Sequence, residues 1–192
     1  MIAQLAEPKK LTEKQKRERR LLEFASQLQN WVPNGLYLYT YNRCIYCGEE
    51  GDTIDHVFPV CFLTNLDRVG SMRARGVTVD SCRECNCKIL GSRIFFSFQE
   101  RLDAARHGIA RRHRKLLEMP HWEDGEMRQL SGVLQLHVRK RSKAREIIVQ
   151  RTDWQESPEF FDNLRMLREQ VEAECPENEQ LRRFFGCDAW NN

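Results

Sequence analysis

The chain has 192 residues, 41% of them apolar and 31% charged, with a formal net charge of +3. That balance suits a soluble globular protein, long enough for one solid core or for one small domain plus appendages, and it excludes a disordered chain. No apolar run approaches the roughly 20 residues of a membrane span, and the N-terminal stretch MIAQLAEPKKLTEKQKRERR lacks the apolar core of an export signal, so a cytoplasmic protein with no membrane partner is expected.

The first element is a helix. Thr12 can cap it, with Gln15 at the reciprocal capping-box position. Leu21, Leu22, Phe24, Ala25 and Leu28 give it an apolar face, and Pro33-Asn34-Gly35 closes it. The basic run at 9–20 reads equally as a solvated helix face or as a phosphate-contacting arm. From 36 to about 79 the pattern shortens. LYLYTY, TIDHVF and VTV each predict a short strand, and the polar loop TNLDRVGSMRARG lies between the second and third.

Helical periodicity then returns. Ser97 and Glu100 form a capping box for a helix to about 118. Leu102, Ala105, Ile109 and Leu116 line its apolar face, and Arg101, Arg106, Arg111, Arg112, Arg114 and Lys115 fill much of the rest. Pro120 ends it. A second helical stretch is expected from Glu123, within which LQLHV alternates and reads also as a short strand. Ser157-Pro158 opens a helix to about 174, and Pro176 begins a last short one. The expected division is a basic helix at 1–35, a compact module at 36–96 and a helical region at 97–192.

Eight cysteines in a reducing compartment argue against a disulfide framework. Cys44/Cys47 and Cys82/Cys85 form two CxxC pairs separated by 34 residues. Each pair can place two thiolates in one tight turn, and two such turns complete a closed tetrahedral zinc site. A zinc tetrathiolate would lower the net charge to about +1, so any nucleic-acid partner must be argued from local charge. Cys61, Cys87, Cys175 and Cys187 are expected to be buried small apolar residues.

A closed site offers no position for substrate, so chemistry must come from what the zinc holds in place. Asp55-His56 lies on the second predicted strand, and Asn86 directly follows the last thiolate. A carboxylate and an amide oxygen suit a hard divalent cation, and a neutral imidazole can take a proton from water near neutral pH. Adjacent residues on a regular strand point to opposite faces. Asp55 and His56 can therefore share a site only if the strand bends or ends there, and Pro59 is consistent with that.

The combined pattern CxxCG, DHVFP and CRECN resembles the HNH endonuclease family in its zinc-stapled form. The match covers 44–88, less than a quarter of the chain. It implies an α+β protein in which a small treble-clef-like ββα-metal module is embedded in mainly helical flanks. By the same resemblance His56 is the general base, and Asp55 and Asn86 hold a catalytic Mg²⁺ or Mn²⁺. Cys44, Cys47, Cys82 and Cys85 hold the structural zinc, and the activity is hydrolysis of DNA. The flanks are loosely similar to those of small phage and prophage HNH proteins, which points to a bacterial or phage-infected cell and to phage or host protein partners. The chain departs from the pattern where the family carries its central Asn: nine residues before Asn86 stands Val77. Asn65 lies in the intervening loop, which is long and lacks Gly-Gly. That departure bears on activity more than on fold. The alternatives are a degenerate zinc module that binds nucleic acid without cutting it, and a phage packaging or virion accessory protein.

Arg73 and Arg75 are candidate phosphate contacts beside the proposed metal, and Arg111, Arg112, Arg114 and Lys115 further out. His107, His113, His121 and His137 are read as ordinary structural histidines. Trp31, Trp122, Trp154 and Trp190, at or near helix ends, are read as packing anchors.

Overall fold

The computed structural model describes residues 12–29, 36–58 and 76–187. Pro59, Cys61, Asn65, Arg73 and Arg75 lie outside them, as do Trp31, Pro33-Asn34-Gly35 and Trp190.

All three predicted strands form. β1 (Leu36–Leu38), β2 (Thr53–His56) and β3 (Val77–Ser81) make one sheet in the order β1-β3-β2, with β1 parallel and β2 antiparallel to β3. The register aligns Leu38, Val79 and Asp55 in one row across the sheet, and Tyr37, Thr78 and His56 in the next. Successive residues alternate faces, so these two rows lie on opposite sides. Leu36, Leu38, Val77 and Val79 are buried on one side, whereas Tyr37 and Ile54 are exposed on the other. Asp80 is buried on the second side because its neighbours close over it. Its Oδ2 accepts from the Thr40 amide at 3.0 Å and the Thr40 hydroxyl at 3.1 Å, and its Oδ1 accepts from the Tyr37 hydroxyl.

The helical elements follow their local signals. α1 (Glu13–Gln29) starts at the expected box: Gln15 N–H donates to Thr12 Oγ1 at 3.3 Å, and Thr12 N–H donates to Gln15 Oε1 at 2.9 Å. Residues 12–20 are exposed, and Arg17 lies over the Phe96 ring at 5.6 Å. β3 leads into a π-helical segment, Glu84–Leu90, whose wide turn shows in the Gly91 N–H to Asn86 carbonyl bond of 2.7 Å. Next come α2 (Phe98–Arg112), capped by Ser97 Oγ on the Glu100 amide at 3.2 Å, and α3 (Arg114–Leu117). The single helix predicted to about 118 is thus broken at His113.

α4 (Asp124–Gln129), α5 (Gly132–Asp153), α6 (Pro158–Glu174) and α7 (Glu179–Phe185) complete the chain. LQLHV is helical within α5, and only its Val138 is buried, so its alternation is not that of a strand face. Ser157 caps α6 as expected. α7 begins after Asn178, which caps it through Oδ1, and not at Pro176.

The buried residues form one cluster that runs from β1 to Cys187, across both the module and the helical region. Phe98 of α2 packs on Phe185 with ring centroids 4.7 Å apart, and Phe58, just after β2, packs on Phe184 at 4.9 Å. Trp154 anchors the end of α5 as expected, its indole N–H donating to the Ile45 carbonyl at 3.0 Å. Gly108 of α2 lies so close to Ile89 that any Cβ there would collide with it. Two assignments need correction. Arg101 belongs to the buried stripe of α2 rather than its solvated face, and Cys87 is exposed. Cys187 is buried and Cys175 partly so.

Candidate metal centre and the residues beside it

The first CxxC closes as a tight turn, with the Cys47 and Gly48 amides donating to the Cys44 carbonyl at 3.3 and 2.8 Å. Gly48 adopts φ 71°, and a Cβ built there would meet Trp154 at 2.5 Å. Glycine is therefore required twice over, by the left-handed turn and by the indole against it. The second CxxC starts where β3 ends, and the Cys85 amide donates to Cys82 Sγ at 3.5 Å. Joining the turn to β3, the Ile45 amide donates to the Asp80 carbonyl at 3.2 Å.

These contacts gather the four thiols. Cys44, Cys47, Cys82 and Cys85 are all buried, and their sulfurs lie within 4.8 Å of one another. Cys47 and Cys82 Sγ are 3.7 Å apart. A tetrahedron with Zn–S bonds of about 2.3 Å has edges of about 3.8 Å, so four soft ligands at this spacing can hold a metal ion such as zinc. It is the only cluster of its kind among the described residues.

Glu84, between the second pair of cysteines, organises the surroundings. Its Oε1 takes His113 Nε2 at 2.8 Å and Arg112 Nε at 3.0 Å, and its Oε2 takes Arg151 Nη1 at 2.7 Å. Burial works against the charged carboxylate, but the hydrogen bonds from Arg151 and His113 outweigh it and hold the Glu84 pKa below its ordinary value. Arg151 also donates from Nη2 to Cys47 Sγ at 3.6 Å.

Asp55, His56 and Asn86 come from 30 residues apart onto neighbouring elements. Asn86 Nδ2 donates to the Ile54 carbonyl at 3.1 Å and to Thr53 Oγ1 at 3.3 Å, which pins the π-helical segment to β2. The atom it would offer a cation is then its amide oxygen. Asp55 is 2% exposed. Its Oδ2 accepts from the Tyr46 hydroxyl at 2.6 Å, from Arg101 Nη2 at 2.6 Å and from Arg101 Nε at 3.2 Å. Arg101 is itself fully buried, lying over the rings of Phe95 and Tyr46. His56 is half-buried on the opposite face of the sheet, in the row of Tyr37. β2 stays regular through His56 and ends there, so the strand terminates at the pair without turning both side chains to one side.

Val77, at the family's central Asn position, is a core residue 1% exposed, and its carbonyl accepts from the Val57 amide at 2.9 Å. The basic candidates lie on the surface. Arg111, Arg112, Arg114 and Lys115 are exposed and line a shallow depression with His113 and Leu116. Arg112 is tied to Glu84, Arg114 to Glu118 at 3.3 Å, and Arg106 to Glu156 at 2.7 Å.

Sequence reasoning missed four residues here: Tyr46, Glu84, Arg101 and Arg151. One signal was available. Arg101 stands three after Phe98 and four before Ala105, in the i, i+3, i+7 positions of the buried stripe. A charged residue in such a stripe implies a buried partner of opposite sign.

The chain matches no family model, no curated protein and no solved structure. What the geometry defines is a mixed α+β protein with a small three-stranded sheet and a four-cysteine cluster compatible with zinc. Among the described residues, no helix is long and apolar enough to cross a membrane.

Proposed function

We propose that this protein is a zinc-stapled, metal-dependent endonuclease of HNH type that hydrolyses DNA. One observation carries the reading. Two CxxC turns gather four sulfurs into a closed cluster, and the residue after the last sulfur, Asn86, is bonded to the strand that bears Asp55 and His56. Residues that resemble the ββα-metal motif in sequence are thus neighbours in space.

In this reading the S₄ cluster is structural. His56 Nδ1 or Nε2 accepts a proton from water as the water oxygen forms a bond to phosphorus. The P–O bond to the leaving oxygen breaks with its electron pair. Asn86 and Asp55 would hold a divalent cation, which would supply charge stabilisation for the phosphate. Two protein oxygens suit Mg²⁺, which keeps most of its waters. Hydrogen bonding of Asp55 through Oδ2 is also what a ligand carboxylate commonly shows. Phosphate contacts from Arg111, Arg114 and Lys115 would position the duplex without reading sequence.

A second reading is favoured by a specific observation. Asp55 is buried, already paired with Arg101, and on the face opposite His56. A module whose acid serves the core rather than a cation would bind nucleic acid without cutting it. Nicking of supercoiled plasmid in Mg²⁺ or Mn²⁺ separates the two. The nuclease reading expects cleavage by the parent protein and a loss of about 10²–10⁴-fold in His56→Ala, the usual worth of general-base catalysis. Absence of cleavage by the parent in both metals, with DNA binding retained, establishes the second reading.

A further inference from the structure

We propose that Arg151 is the counter-charge of the metal centre, a guanidinium clamp that couples metal retention to helix α5. The inference rests on the reading of the four cysteines as a zinc site.

Four thiolates around Zn²⁺ carry a net charge of about −2, and this centre is buried. Burying net charge is costly unless an opposite charge lies close. Arg151 supplies one. It comes from the last turn of α5, more than a hundred residues from the first knuckle in sequence, yet its Nη2 donates to Cys47 Sγ at 3.6 Å. Its Nη1 contacts Glu84 in the second knuckle at 2.7 Å, and its Nε stands 4.0 Å from Glu49 in the first. One rigid fork therefore touches both knuckles, and its side chain is only 9% exposed.

Glu84 would by itself worsen the excess of negative charge. Arg151 lies between it and the thiolate, so a single cation serves both. A lysine would carry the charge but could not span two partners with fixed donors. The contacts of Arg151 are with Cys47, Glu84 and Glu49, and it has no assigned part in cutting or binding DNA. It is a positioning residue whose effect is on metal retention. Partners in the outer shell of metal sites commonly alter affinity by about 10–100-fold.

The test uses the full chain. Parent, Arg151→Met, Arg151→Lys, Glu84→Gln and, as a surface control, Arg165→Met are loaded with zinc. Release to a chelating dye is timed, and the sulfur-to-cobalt charge-transfer band is recorded after Co²⁺ substitution. Arg151→Met is expected to release zinc about 10–100-fold faster and to shift the cobalt band. Arg151→Lys should fall between it and parent. Glu84→Gln should stay close to parent, because the thiolate keeps its partner, and Arg165→Met should equal parent. Two results overturn the proposal: Arg151→Met holding zinc as tightly as parent with an unmoved band, or Glu84→Gln matching Arg151→Met, which would reduce Arg151 to an ion-pair anchor. If Arg151→Met does not fold, Arg151→Lys decides, since parent-like release and band would contradict a clamp. A folded parent that binds neither metal rejects the zinc reading itself, a different outcome from any of these.

Discussion

Asp55 is the residue on which competing accounts meet. Its row on the sheet faces the core, and a core acid requires a buried cation, which Arg101 provides at 2.6 Å with Tyr46 as a third member. Removing one partner of such a pair strands the other's charge and costs about 3–5 kcal/mol. Loss of activity in Asp55→Ala would thus mix metal binding with unfolding. Denaturant melts resolve the two. Asp55→Ala should lose about 3–5 kcal/mol of stability, and the double variant Asp55→Ala/Arg101→Met should recover a large part of it. A cost under about 1 kcal/mol for the single variant, the range of an exposed pair, would show that the pair does not hold the core. The acid-imidazole motif was legible in the sequence. Its partner was harder to see, because the charge of Arg101 suggests solvent while its position in the apolar stripe suggests burial.

At the scale of elements, the local signals were legible where they are chemically self-contained. The caps at Thr12, Ser97 and Ser157 each need only residues three or fewer positions away. His113, at the break, is bonded to Glu84, and the π-helical segment packs on α2 where Ile89 meets Gly108; no short window contains these partners. LQLHV resembles a strand because two exposed leucines happen to alternate with polar residues on a helix. Gly48 gives a sharp test at this scale. Gly48→Ala imposes a left-handed non-glycine residue, worth about 1–3 kcal/mol, and drives a methyl into Trp154. Its thermal midpoint should fall, and a variant as stable as parent would contradict the close turn–indole packing. The basic segment gives another. Arg112 is committed to Glu84, so Arg111, Arg114 and Lys115 are the better residues to neutralise. That triple variant should bind all DNA sequences more weakly. It should also lower the slope of log affinity against log salt by about 0.9 for each phosphate it no longer neutralises. An unchanged slope would make this surface mere solvated helix.

The described residues from β1 to Cys187 share one core, and the four thiols are part of it. The sequence suggested three regions, and the boundary near 97 is crossed by the Phe58–Phe184 and Tyr46–Phe98 ring contacts, the Trp154 to Ile45 bond and the Arg151 contacts. Pairings over such separations carry no sequence signature in a single chain, which is why the helical region read as a flank rather than as part of the core. The metal should therefore matter to the entire fold, because its binding energy is folding energy in sites of this size. Metal content is the most direct measure of this central claim. Native mass spectrometry and elemental analysis of the purified full chain should find about one Zn²⁺ per molecule, absent from Cys44→Ser or Cys82→Ser, with those variants destabilised or unfolded. A parent chain that is folded, reduced and free of metal would contradict the account at its base.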